Sequence, residues 1–196
     1  MDAIVLAGGK GSRLGGADKA ALIGVDGKTS LQRTILACRE VDARRVVVVG
    51  PPDRPVTAGV EVAQEDPPGS GPALAIAAGL ARLASDASDD VLVLACDMPN
   101  AAPGVEALLA APSGPDGVVG VAGGHRQWLL GLYKWAALVR ACAKLDGWNA
   151  PSDPSVGYLL GDLDLREVAV PPGAADDIDT EDDLNRLHYR KGDNNE

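Results

Sequence analysis

Residues 1–20 read MDAIVLAGGKGSRLGGADKA. The apolar run 4–7 leads without pause into Gly8, Gly9, Gly11, Gly15 and Gly16, a stretch that also carries Lys10, Arg13 and Lys19. Glycines after a strand let backbone N–H groups approach anionic oxygens, because no Cβ stands in the way. Two further β-branched runs, 45–49 and 91–95, have the continuous apolar character of buried parallel strands, and 60–63 adds a short one. Helical patterns lie between them: 31–39 with Ser30 as N-cap, and 73–83 after Gly69-Ser70-Gly71-Pro72. This alternation predicts a Rossmann-like α/β sandwich of three layers, with a mainly parallel central sheet and helices on both faces.

The second half is less regular. It predicts a helix over 104–111 started near Pro103, and strands 118–121 and 128–133 joined as a hairpin through Gly123-Gly124. A helix over 135–145, a short strand 168–170 ended by Pro171-Pro172, and a capped helix 180–187 follow. No internal repeat and no linker marks a boundary. Residues 1–188 are therefore expected to form one domain, and 189–196 a polar C-terminal tail.

The 196 residues suffice for one sizeable core, which must be built from Val, Leu, Ile and Ala, since aromatics are 3% and Phe is absent. A net charge of -10 argues against sequence-independent binding of nucleic acid, which needs a basic footprint. No long uninterrupted apolar span speaks for a membrane partner. Cys38, Cys96 and Cys142 are odd in number and widely spaced, which reads as reduced thiols rather than a disulfide framework or zinc site. Strand-like residues begin almost at once, with no basic segment or signal-length apolar run, so the expected location is the cytoplasm.

Two familiar glycine loops fail on spacing. No segment supplies the GxxxxGK followed by Ser or Thr of a P-loop. The glycines do not fit GxGxxG, and the second strand ends in Gly50-Pro51-Pro52 instead of an acidic residue for a ribose. What remains is a longer loop in which Gly8 and Gly9 take phosphate against the backbone while Arg13 and Lys19 clamp the chain of phosphates.

Carboxylates complete the picture. Asp97 follows the strand 91–95, and open α/β sheets bind ligands at the carboxyl ends of their strands. There it can hold magnesium, which takes one or two carboxylates plus phosphate oxygens and water; the competing reading is a helix N-cap. Asp177 and Asp179 precede Thr180 in DDIDTEDDL, which reads as the charged first turn of a helix.

The stretch from Leu6 to Lys19 resembles the LAGGxSxRxGxDK signature of the molybdenum cofactor guanylyltransferase family. Gln64-Glu65-Asp66-Pro67 with Gly71-Pro72-Ala73-Leu74-Ala75, Ala95-Cys96-Asp97-Met98-Pro99, and Asp177-Ile178-Asp179-Thr180-Glu181-Asp182-Asp183-Leu184 are similar to three further elements of that family. The chain departs from it at Trp128, at Glu181-Asp182, and at Gly50, where guanylyltransferases often carry Asn.

The resemblance implies a fold of nucleotide-diphospho-sugar transferase type. It also implies a magnesium-dependent transfer of GMP from GTP to the terminal phosphate of molybdopterin-bound molybdenum, with pyrophosphate released. Molybdoenzymes or other cofactor-biosynthesis proteins are the partners it implies. Arg13, Lys19 and Asp97 would be catalytic, and Leu6, Ala7, Gly8, Gly9, Lys19, Asp66 and Asp97 would bind nucleotide. Asp97 and Asp177 would serve the metal, Gln127 and Asp179 the acceptor. For Asp66 the chemistry is plain: a carboxylate accepts two N–H donors from a guanine edge, which cytosine cannot match in the same geometry. Three alternatives stay open: a cytidylyltransferase for the same cofactor, another small nucleotidyltransferase such as one acting on a sugar phosphate, and a non-catalytic carrier of nucleotide or cofactor.

Overall fold

The apolar run at the N-terminus becomes the middle of a seven-stranded sheet in the computed structural model, which describes residues 1–9, 14–146 and 151–192. Strand β1 (Asp2–Leu6) is buried along its whole length. It is flanked in parallel by β2 (Val46–Val49) and β4 (Asp90–Ala95), and β3 (Glu61–Ala63) pairs in parallel beyond β2. On the other side β6 (His125–Lys134) runs antiparallel to β4 and to β5 (Gly117–Ala122), and β7 (Leu165–Ala169) closes the edge parallel to β5. The order is β3-β2-β1-β4-β6-β5-β7, a mainly parallel sheet with an antiparallel insertion in its second half.

Continuous apolar strands are needed because both faces are covered. Ile4, Val47 and Val93 pack on one face beneath α2 (Pro72–Leu83), α4 (Trp135–Cys142) and α5 (Val156–Leu160). Val5, Val48 and Leu94 pack on the other beneath α1 (Ser30–Glu40) and α3 (Ala102–Ala110). Gly79 lets α2 lie close on β1, since a Cβ there would stand 2.7 Å from Ile4 Cγ2.

A third, smaller cluster joins Leu14 and Leu22 to Ile178, Leu184 and Tyr189. It docks α6 (Glu181–Arg186) against the segment that follows the glycine loop. Tyr189 is buried, and Ile23 and Arg190 exchange backbone hydrogen bonds of 2.8 and 2.9 Å. The tail expected from 189 is thus tied to the body through 190, because a buried aromatic and a two-residue bridge outweigh the polar character around them.

Local corrections have local causes. The N-cap of α1 is Thr29, not Ser30: Thr29 Oγ1 accepts from the Gln32 N–H while Gln32 Oε1 accepts from the Thr29 N–H. Ser30 is buried and donates its hydroxyl to the Cys96 carbonyl. The helix expected over 135–145 ends at Cys142. Edge strand β7 begins three residues before the expected run, because its Arg166 and Glu167 are exposed and dilute the apolar signal. Helix α5, capped by Ser155, is too short to show a period.

Strand β1 starts on a buried carboxylate. Asp2 accepts from Arg44 Nε at 3.1 Å, from Arg44 Nη2 at 3.0 Å and from the Ser88 N–H at 2.7 Å. Burial pushes its pKa up, but the bonds from Arg44 and Ser88 outweigh that and hold it below the usual carboxylate range. A depressed folded pKa contributes stability above the unfolded value and loses it as pH falls through the folded one. Asp2→Ala is expected to cost about 1–3 kcal/mol at pH 7 in urea unfolding. The deficit should shrink as pH falls below the unfolded carboxylate value of about 3.9 and through the lower folded one, where the wild-type carboxylate is protonated as well. A deficit independent of pH would contradict this account.

Candidate active site

Strand order places the glycine loop and Asp97 side by side. The chain leaves β1 towards β2 on one flank and returns to β4 on the other, so the crevice at the carboxyl ends of β1 and β4 is the switch point of the sheet. Leu6 lies opposite Ala95, and the Cys96 N–H donates to the Leu6 carbonyl at 2.9 Å. The next residues, Ala7-Gly8-Gly9 and Asp97, therefore open into one cavity of about 530 Å³. Leu6, Ala7, Gly8, Gly9, Lys19 and Asp97 all line it, as do Asp18, Glu65, Gly71 and Asp153.

Lys19 is the hub. It sits on a single 3-10 turn whose N-cap Asp18 accepts from the Ala20 N–H at 3.1 Å. Its Nζ donates to Asp97 Oδ2 at 2.8 Å and to Asp179 Oδ1, residues 78 and 160 positions away. Burial pulls the Lys19 pKa down, but the hydrogen bonds to Asp179 and Asp97 and their charges outweigh that, so the net direction is up and the group stays an ammonium ion. Asp97 caps no helix: the N-cap of α3 is Ala101, with no side-chain bond. Its carboxylate is thus directed to the site.

Asp179 reaches Lys19, and Asp177 lies in the field of Asp97 and Asp179 without lining the cavity, because Ile178 between them anchors the segment. Ile178 is fully buried in the third cluster, and its N–H donates to the Asp97 carbonyl at 3.0 Å. Thr180 and Asp183 then cap α6 reciprocally, which fixes the segment from its other end. Burial raises the Asp177 pKa first, and the negative charges of Asp179 and Asp97 raise it further.

That surplus of hard oxygen donors suits a divalent cation. Among the described residues no three His, Cys, Asp or Glu side chains are grouped to hold a metal ion unaided. Asp97 with Asp177 would offer such an ion one or two carboxylates, leaving phosphate oxygens and water to complete its shell.

Other expected residues fall elsewhere. Asp66 is exposed and lies outside the residues that line the cavity; its neighbour Glu65 is 8% exposed, lines it, and accepts from the Gly69 N–H at 2.9 Å. Gln127 folds back to donate to the His125 carbonyl at 3.3 Å, and Leu129 is the β6 residue that reaches the cavity. Arg13 lies outside the described residues. The thiols are held in their neutral form: burial pushes Cys38 up to about 12 and Cys142 up to about 11, and Cys96 rises further through burial and the neighbouring Asp97 charge.

A second cavity of about 460 Å³ lies across the glycine loop. It shares Gly8, Gly9, Asp18, Glu65 and Gly69 with the first and adds Gly50, Arg54 and Gln64. Arg54 carries no motif signal in the sequence, and only the folded chain brings it here.

A glycine loop, a half-buried ammonium and a strand-end carboxylate meet at the sheet's switch point, where open α/β sheets bind their ligands. The chain belongs to the MobA-like NTP transferase domain family, a nucleotidyltransferase family whose pattern matches residues 3–152. It is 33% identical over 172 residues to the molybdenum cofactor guanylyltransferase of Acidiphilium cryptum (strain JF-5), covering 86% of this chain and 83% of that one. Its fold is that of the molybdopterin-guanine dinucleotide biosynthesis protein A from Archaeoglobus fulgidus, with TM-score 0.68, 21% identity and coverage of 95% and 96% of the two chains. It is also similar to 2-C-methyl-D-erythritol 4-phosphate cytidylyltransferase from Thermus thermophilus, with TM-score 0.59, 20% identity and coverage of 94% and 95%. The fold is of nucleotide-diphospho-sugar transferase type, as the sequence resemblance implies. Among the described residues no helix is long and apolar enough to cross a membrane.

Proposed function

We propose that this protein transfers GMP from GTP to the terminal phosphate of molybdopterin-bound molybdenum, in the cytoplasm, and releases pyrophosphate. The observation that carries this reading is the Lys19–Asp97 contact at the switch point, beside the loop of Leu6, Ala7, Gly8 and Gly9. The kinship with a protein named molybdenum cofactor guanylyltransferase supports the choice of base and acceptor.

An acceptor phosphate oxygen attacks the α-phosphorus, the bond from that phosphorus to the α–β bridging oxygen breaks, and pyrophosphate leaves with the bond's electrons. No protein nucleophile is needed; the site must align two anions and neutralise the charge that builds on the leaving group. Gly8 and Gly9 admit the triphosphate to the backbone, and Lys19, drawn from Asp97 towards the phosphates, stabilises the departing pyrophosphate together with Arg13. Asp97 and Asp177 would hold magnesium, which supplies positive charge to the phosphate oxygens when bound. Asp179 would orient Lys19, which it bonds, and the acceptor, and Asp66 with its cavity-lining neighbour Glu65 would offer carboxylates to the nucleoside. Gln127 serves the acceptor only if it turns away from His125. Molybdoenzymes, or other proteins of cofactor biosynthesis, would receive the product.

Pyrophosphate release with each of the four nucleoside triphosphates, with and without molybdenum cofactor, tests this. Release is expected with GTP and dependent on the cofactor. Release with CTP alone would identify a cytidylyltransferase, and none under any condition would overturn the reading and favour a carrier or a transferase for another acceptor.

A further inference from the structure

The second cavity holds a cation that the phosphate chemistry leaves unused. The Arg54 side chain is 10% exposed, and its Nη1 donates to Asp18 Oδ2 at 2.7 Å. The other oxygen of Asp18 caps the turn that carries Lys19, so Arg54 is set in a fixed relation to the triphosphate cation. Its Nε is buried and has no hydrogen-bond partner among the described residues. Buried donors are almost always satisfied, because an unmet one forfeits its bond to water. Arg54 lines the cavity, so this N–H has a bond left to give to a bound molecule.

The surroundings say which ligand. Gly50 stands beside Arg54, where a Cβ would lie 2.9 Å from the Ala7 carbonyl oxygen and 3.4 Å from Arg54 Nε. Any larger side chain at 50 would press on the end of β1 and on Arg54, so the wall stays bare and the guanidinium reaches the cavity. Glu65 lines the same cavity. A forked donor and a carboxylate in one cavity complement guanine, whose O6 and N7 are adjacent acceptors and whose N1 and N2 are adjacent donors. Adenine puts an amino donor next to N7 and would confront the guanidinium with a like group. The cavity lies across Gly8 and Gly9 from Lys19 and Asp97, as a base must when its phosphates lie against that loop.

We infer that Arg54 is the residue that selects guanine, its Nε and the adjacent Nη taking O6 and N7 of the base. The inference rests on the reading of this site as a GTP-consuming one. It is tested by steady-state pyrophosphate release from GTP, 7-deaza-GTP and ATP, with molybdenum cofactor present, for wild type, Arg54→Met and Arg54→Lys. Wild type should favour GTP over 7-deaza-GTP by about 10-fold in kcat/KM, since the analogue lacks the N7 acceptor. Arg54→Met should lose about 30-fold on GTP, mostly through KM, and should handle GTP and 7-deaza-GTP alike. Arg54→Lys keeps a point charge without the fork and should fall between.

A wild type indifferent to N7 overturns the inference without any variant. So does an Arg54→Met or Arg54→Lys protein that keeps the wild-type ratio of GTP to 7-deaza-GTP, whatever its absolute rate. In both cases the GTP reading itself stands if wild type still uses GTP. Wild type that releases pyrophosphate only from another nucleoside triphosphate overturns both together.

Discussion

Asp97→Ala is expected to lower guanylyl transfer at least about 100-fold, the scale of losing one key electrostatic group in an active site. The carboxylate is the only part of Asp97 that the chemistry needs. Its carbonyl accepts from the Ile178 N–H, and that bond survives the substitution. The acidic segment before α6 should therefore stay docked, and thermal unfolding should change little while turnover collapses. Asp97→Asn separates charge from shape: it keeps an oxygen towards Lys19 but brings no negative charge for a metal ion, so it should be nearly as poor as the alanine variant. A kcat within a few-fold of wild type in either protein would contradict the role given to Asp97.

Lys19→Ala should cost at least about 100-fold for a different reason. It leaves the carboxylates in place and removes the cation that meets the leaving group. Loss is expected in kcat more than in KM, because the charge on pyrophosphate grows only in the transition state. Lys19→Arg should not restore the rate. The ammonium ion is a compact charge shared between Asp97 and Asp179, and the broad planar guanidinium cannot occupy the same point. Unchanged kcat with a raised KM would reassign Lys19 to simple ground-state binding.

The parts of the fold that the sequence made legible are those with a strong local signal. Three apolar runs flanked by glycine and proline are β1, β2 and β4, and the spacing of the helices between them forces a parallel sheet. Gly123-Gly124 marks the hairpin of β5 and β6 in the same way. Where a signal is shared between neighbours, the sequence alone does not choose: Thr29 or Ser30 as cap, Glu65 or Asp66 as the inward carboxylate. Only packing decides those, because each pair differs by which residue the folded chain turns towards the core.

The site was legible as two ends of a motif and not as a whole. Leu6 to Gly9 and Asp97 follow from strand ends meeting at a switch point. That Asp179 meets Lys19 depends on the cluster of Leu14, Leu22, Ile178, Leu184 and Tyr189, which joins distant segments through contacts without periodicity. Arg54 was invisible for the same reason: a lone arginine after Pro51-Pro52 gains meaning only from Asp18 and Gly50 beside it.

The most direct measurement is the fate of the α-phosphorus of GTP. With α-labelled GTP, magnesium and molybdenum cofactor, the label should appear on the acceptor as a guanine dinucleotide, with one unlabelled pyrophosphate released per transfer, and Asp97→Ala should transfer almost none. Recovery of bound, uncleaved GTP with no label on the acceptor would contradict the account.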